Sequence, residues 1–228
     1  ANANLSGADV VMIAGLVNVF PFFLVAHPGI TSSSALPGKI GATQVFGSGG
    51  DLALRMGLRT LGLDPERDVT LRVIGGSNLR VQALEKRLVD FAMLEPMVMF
   101  QAKKSNLNLL VDFTDKNIPY QHSGIVALES SLKKHRVLIV NFLKAVLEGL
   151  SFYKRNKEDT LNVMAKYTGL RDRAVLANSY EWFKKVFLDV PYATPDGFKS
   201  ILDMIYVSRK GVPTLDPKTL VDRTILDA

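Results

Sequence analysis

Cysteine is absent from the 228 residues. That excludes a disulfide scaffold, a thiolate metal site and a cysteine nucleophile. Histidine is scarce: only His27, His122 and His135 occur, and none has metal-ligand spacing with another histidine or a carboxylate. There is no Gly-x-Ser-x-Gly elbow of a serine hydrolase, no Walker A loop and no dinucleotide Gly-x-Gly-x-x-Gly pattern. No internal repeat or low-complexity tract breaks the chain. Long hydrophobic runs are missing too. Val10 to Ala26 is almost wholly apolar, but Gly15, Asn18 and Pro21 interrupt it and it falls short of the roughly 20 residues a membrane span needs. A buried strand running into an apolar turn fits it better.

What is present suits a folded globular protein: 47% hydrophobic and 22% charged residues, enough chain for one large domain or two small lobes. Lys and Arg exceed Asp and Glu by 28 to 22, a formal charge of +6. That balance suits a nucleic acid, an anionic membrane surface or an anionic small ligand. The basic residues, however, fall in short pairs, Lys103-Lys104, Lys133-Lys134, Lys184-Lys185 and Arg209-Lys210. These read as solvated helix faces, and no basic run is interleaved with aromatics as a strand-binding surface requires. The first residue is Ala1, with no basic n-region or cleavage site before it, so a targeting segment is expected to be removed or outside this sequence.

Glycine and proline punctuate a strand-loop-helix rhythm. Asp9 to Gly15 reads as a strand buried on both faces, as in a parallel sheet. Leu24 to Ala26 and Lys39 to Thr43 are further strands. The loop Phe46-Gly47-Ser48-Gly49-Gly50 leads into a helix over Asp51–Leu61, with Gly62 as its C′ residue. Val69 to Ile74 is a strand ended by Gly75-Gly76-Ser77, and a helix over Leu79–Leu88 follows. Phe91 to Leu94 is a buried strand stopped by Pro96, and Leu107 to Val111 is another. This predicts an α/β fold with a mostly parallel sheet. After the strand Gly124 to Leu128 the chain turns helical, over about His135–Tyr153, Glu158–Tyr167, Asp172–Val186 and Thr194–Ser208. Val140, Leu143, Leu147 and Leu150 form one apolar face.

The loop Gly47-Ser48-Gly49-Gly50-Asp51 is the most informative feature. Glycines expose backbone N–H groups, and the helix that follows adds free donors and the positive end of its dipole. That makes a seat for an anionic or carbonyl oxygen, with Ser48 as a further donor. A plain structural turn, with Asp51 capping its own helix, fits the same letters. Gly75-Gly76-Ser77 repeats the device. Ligands collect at the carboxyl ends of strands in open sheets. Asn18, Glu95 before Pro96, and the Tyr120-Gln121-His122-Ser123 turn therefore join the candidates. Each also has a bland reading: a turn cap, a surface ion pair, a solvated histidine. An acid/base pair of Glu95 and His122 is the one enzymatic arrangement that suggests itself. Trp182 and Phe183 read as core. Phe20, Phe22 and Phe23 read as packing, or as lining for an apolar pocket mouth. The amides of glycine-rich turns from separate halves are expected to converge on a guest.

Several segments resemble the periplasmic substrate-binding proteins of nitrate/sulfonate/taurine-type ABC importers, the NMT1-like family that also includes pyrimidine-precursor binding proteins. These are Leu36-Pro37-Gly38-Lys39-Ile40-Gly41, Phe46 to Asp51, Leu61 to Pro65 with Asp68-Val69-Thr70, and Val89-Asp90-Phe91-Ala92. Phe142 to Ala145 with Glu148 to Leu150 and Phe152 to Lys154, Tyr167 to Leu170, Pro191-Tyr192 and Leu215-Asp216-Pro217 also agree. The similarity runs in order through nearly the whole chain. It implies a two-lobe type II periplasmic-binding-protein fold with a helical C-terminal part and a solute bound in the interlobe cleft. One lobe would comprise residues 1–36 and 120–228, the other 37–119. The implied ligand contacts are Asn18, Phe46, Ser48, Gly49, Gly50, Ser77, Glu95, Tyr120, His122 and Ser123.

The resemblance implies a small organic, anionic or polar solute, an ABC transporter permease as partner and membrane contact only through it. It implies a periplasmic or extracytoplasmic location, no cofactor, no nucleic acid and no catalysis. An enzyme on this scaffold and the effector-binding module of a regulator are the alternatives. The sequence departs from the family pattern at three places. The family's first two strand-helix units have no counterpart before Ala1, so the first lobe is expected to lack them. Arg87 stands where the family usually has glycine, at a helix end that favours a left-handed residue, at a cost of roughly 1 kcal/mol. The cysteine-rich motif of the related pyrimidine synthases is missing.

Overall fold

A computed structural model of the chain describes residues 1–208 and 211–227, which leaves the Arg209-Lys210 pair outside the described residues. The chain divides into two compact units. A central unit holds Pro21–Ile118, and a terminal unit holds Ala1–Phe20 with Pro119–Ala228. The division falls before Pro21 rather than after Leu36 because the strand over Phe23–Ala26, β2, is buried at all four residues and pairs inside the central unit.

The central unit is built on a five-stranded sheet of order β4-β3-β5-β2-β6. Here β3 is Ile40–Thr43, β4 Thr70–Val73, β5 Phe91–Leu94 and β6 Asn108–Asp112. β3 runs parallel to β4 and β5, whereas β2 is antiparallel to both its neighbours. The sheet is therefore mixed where the rhythm predicts a mostly parallel one. Burial follows position: β5 is buried throughout, and the edge strand β4 is largely exposed. Helix α2, Gly49–Thr60, buries Leu52, Leu54 and Leu58. Gly57 allows its close approach, since a Cβ there would stand 2.4 Å from the Met93 methyl and 3.1 Å from the Phe113 ring.

Helix α3, Ser77–Glu85, ends with Arg87 in the left-handed region at φ 56°. The Arg87 and Leu88 amides donate to Leu84 and Ala83, closing the helix as glycine usually does. Pro96 stops β5 and also opens a short helix, α4 over Pro96–Ala102, unforeseen from the sequence. Proline suits that first helical position because its missing N–H has no intrahelical partner there.

In the terminal unit a short helix α1, Asn2–Leu5, precedes β1, Val10–Val19. β1 pairs antiparallel with β7, Pro119–Leu128. The sequence suggests a parallel strand ending at Gly15; the strand instead continues to Val19. Gly15 faces Gly124 across the pair, and a Cβ on Gly124 would lie 2.2 Å from the Ala14 carbonyl oxygen. β7 likewise begins before the expected Gly124, so Tyr120 to Ser123 are strand residues and not a turn. Among the described residues five α-helices follow: α5 Glu129–Lys134, α6 Arg136–Arg155, α7 Lys157–Thr168, α8 Arg173–Val186 and α9 Pro195–Ser208.

Alternation along β1 sends its side chains to opposite faces. Val11 and Ile13 pack with Leu143, Ile139 and Val140 of α6, and Met12 packs with Phe198 and Leu202 of α9. Leu161, Leu176 and Tyr180 join α7 to α8. Among the described residues no helix is long and apolar enough to cross a membrane. The apolar stretch from Val10 to Ala26 forms β1 and β2.

Candidate functional site

Because β3, β4 and β5 are parallel, their carboxyl ends share one edge of the central sheet. Each strand there runs through a short loop into a helix, α2, α3 or α4. The first loop is locked from below. Ser48 caps α2, its Oγ accepting from the Asp51 amide at 3.3 Å. The Asp51 carboxylate, 2% exposed, accepts from the Gly47 amide at 2.9 Å, the Thr43 hydroxyl at 3.1 Å and Arg55 Nε at 2.9 Å.

This is half of a capping box: the Ser48 hydroxyl takes the Asp51 amide, while the Asp51 carboxylate returns to the Gly47 amide and not to that of Ser48. Of the two readings of this loop, the Ser48 side chain takes the cap, and Asp51 braces the bend. Gly47 at φ 77° makes the turn possible. The Gly49 and Gly50 amides, first in the helix, have no intrahelical acceptor. A Cβ on Gly49 would meet nothing within 4 Å. Phe46 stands beside them, 55% exposed, with the Arg55 guanidinium 5.9 Å from its ring centre.

The second and third loops meet at Arg80, a residue the sequence reading passed over. It lies on α3 one turn beyond Ser77, and its side chain is buried. Nη1 donates to the Gly75 carbonyl at 3.3 Å, and Nη2 donates to Ser77 Oγ and to Glu95 Oε2 at 3.3 Å. The Ser77 hydroxyl donates to the same Glu95 oxygen. Arg80 Nε has no hydrogen-bond partner among the described residues. The guanidinium also reaches back to the first loop: a Cβ built on Gly50 would be 3.6 Å from Nη1. Burial pulls the Arg80 pKa down, and the nearby Glu95 charge opposes that shift. Both glycine-rich bends thus belong to one unit, not to separate halves of the chain.

The remaining candidates stand in the terminal unit. Asn18 lies within β1. Its Nδ2 donates to the Tyr192 carbonyl at 2.6 Å, and its Oδ1 accepts from Gln121 Nε2 at 2.7 Å. Gln121, 4% exposed, also accepts from the Thr194 amide at 3.2 Å and donates to the Ser123 carbonyl at 3.2 Å. Tyr120 is buried edge-on against Phe20, ring centres 5.0 Å apart, and burial pushes its pKa up to about 12. His122 is exposed and stacks on Tyr120 at 6.2 Å. Glu95 and His122 sit in different units.

No group of three or more His, Asp or Glu side chains among the described residues is placed to hold a metal ion. The strand-end loops that open helices, with a buried cation behind them, can seat an oxyanion or polar carbonyl.

The architecture is that of the periplasmic binding proteins. The periplasmic aliphatic sulphonate binding protein SsuA of Escherichia coli superposes with a TM-score of 0.76 at 19% identity, over 99% of this chain and 77% of that one. The alkanesulfonate-binding protein SsuA of Xanthomonas axonopodis pv. citri, bound to MOPS, gives 0.74 at 16% identity, over 97% and 76%. A Candida albicans protein described as exhibiting the generic periplasmic binding protein structural fold gives 0.70 at 17% identity, over 97% and 76%. Residues 1–160 match the family described as NMT1/THI5 like, and the chain belongs to that family. No curated protein matches the chain.

Proposed function

We propose that this protein binds a small organic solute with an anionic or polar head and delivers it to the permease of an ABC importer, outside the cytoplasmic membrane. One observation carries the reading. The Gly49 and Gly50 amides, Ser77, Glu95 and the buried Arg80 gather along a single edge of the central sheet. Those amides supply donors aimed at an oxygen, and Phe46 supplies exposed apolar surface for the rest of the solute. Ser48 acts there as the cap that holds the loop. In the terminal unit, Asn18 and Tyr120 serve as framework, and His122 and Ser123 on β7 are the candidate residues of that unit. Binding at such a site needs no bond making and no cofactor. Two of the structural relatives carry sulfonate-binding names, and this chain shares their architecture, which favours an oxyanion head.

The test is a thermal-shift screen with sulfonates, carboxylates, nitrate, phosphonates and pyrimidines. A true ligand at a hundredfold excess over its Kd stabilises the fold by about 2.7 kcal/mol. A panel that leaves Tm unmoved throughout counts against the reading. An acid/base enzyme built on Glu95 finds less support, because both Ser77 and Arg80 already engage that carboxylate.

A further inference from the structure

We infer that Arg80 is the positioning residue that sets this edge to accept an anionic head group, by cancelling the charge of Glu95. The inference deepens the solute-binding reading and rests on it. The Glu95 side chain is 36% exposed at the carboxyl end of β5. Left alone, it would place a negative charge on the same sheet edge as the Gly49 and Gly50 amides and repel an oxyanion bound there. Arg80 removes that obstacle. One guanidinium lies 3.3 Å from Glu95 Oε2, 3.5 Å from Oε1, 3.3 Å from the Gly75 carbonyl and 3.6 Å from the Cβ position of Gly50.

Asp51 pairs with Arg55, which also engages the more exposed Glu66. Asp51 is buried and takes three donors, whereas Glu95 is partly exposed, and its charge is the one that Arg80 governs. A purely structural role explains less. A buried ion pair is often no more stabilising than well-packed apolar residues, and this one keeps Arg80 at 3% exposure with Nε unpartnered. A cation held at that cost, close to the free end of α2, fits a device for tuning the seat.

The experiment measures the affinity of the 228-residue chain for sodium propanesulfonate, acetate, inorganic sulfate and neutral cytosine by titration calorimetry. The variants are Arg80→Gln, Glu95→Gln and the double variant. Propanesulfonate affinity is expected to fall about tenfold or more in Arg80→Gln and to hold or rise in Glu95→Gln. In the double variant it is expected to return to within about threefold of the starting value, because the two charges act on the anion through each other.

A simple structural role predicts no such rescue. A double variant no better than Arg80→Gln overturns the inference, as does weaker anion binding in a folded Glu95→Gln protein. Should Arg80→Gln fail to fold, Glu95→Gln and the double variant still decide. An unmutated protein that binds cytosine but none of the anions overturns this inference and leaves the solute-binding reading standing. Binding of none of the four contradicts both.

Discussion

The two units handle their polar side chains in opposite ways. In the terminal unit, the Asn18–Gln121 cluster is closed: both ends of each amide are engaged, with Tyr192, Ser123 and Thr194 as backbone partners. On the central sheet's carboxyl edge the arrangement stays open. Among the described residues Arg80 Nε has no partner, the first amides of α2 have no acceptor within the helix, and a Cβ on Gly49 would stand in open space. A saturated network specifies the fold, because any loss leaves a buried group stranded. An unsaturated one, braced from behind by Asp51 and Ser48, is where a solute has something to gain.

That contrast can be broken most forcibly in the terminal unit. Gln121→Leu strands Asn18 Oδ1 and the Thr194 amide, and is expected to cost about 3 kcal/mol in urea unfolding. It should leave solute affinity per folded molecule nearly unchanged. Asp51→Ala attacks the brace of the open edge and is expected to cost about 2 kcal/mol. There the solute affinity should fall with the stability, because the Gly47 bend loses its anchor.

Tyr120 sharpens the contrast through pH. Its folded pKa is raised, so the neutral form is favoured by folding, and its contribution is complete below pH 10. It is lost as the pH climbs toward the folded value of about 12, where the unfolded chain ionises first. Alkaline unfolding of Tyr120→Phe should therefore show a shallower fall in stability over that window.

Arg87→Gly relieves the left-handed strain at the end of α3 and is expected to stabilise by about 1 kcal/mol in thermal unfolding. Ser48→Ala removes only a cap and is expected to cost about 1 kcal/mol or slightly less by the same measurement.

Much of this was legible in the letters. Glycine at the strand ends marks the loops, and the apolar spacing marks the helices. Arg87, standing where the family pattern has glycine, does adopt a positive φ. Local chemistry decides each of these. What resisted reading depends on distant partners. Nothing in Phe23–Ala26 tells that it pairs antiparallel with two strands far along the chain, so the unit boundary was expected after Leu36. Tyr120 to Ser123 look like a turn until β1 extends to Val19 to pair with them. Asn18 suggests a ligand contact, because its partner Gln121 lies 103 residues further along the chain. Arg80 draws no attention in the sequence. Its one signal is the Ser77-to-Arg80 spacing, which puts both on one turn of a helix that begins at a glycine-rich strand end.

The central claim is that solute is gripped at the carboxyl edge of the central sheet, and amide-resolved NMR tests it most directly. On titration with the solute that gives the largest thermal shift, the backbone amides of Gly47, Gly49, Gly50 and Ser77 should move first and saturate together with one Kd. A solute that saturates the protein while those four resonances stay in place, with changes confined to other surfaces, would contradict the account.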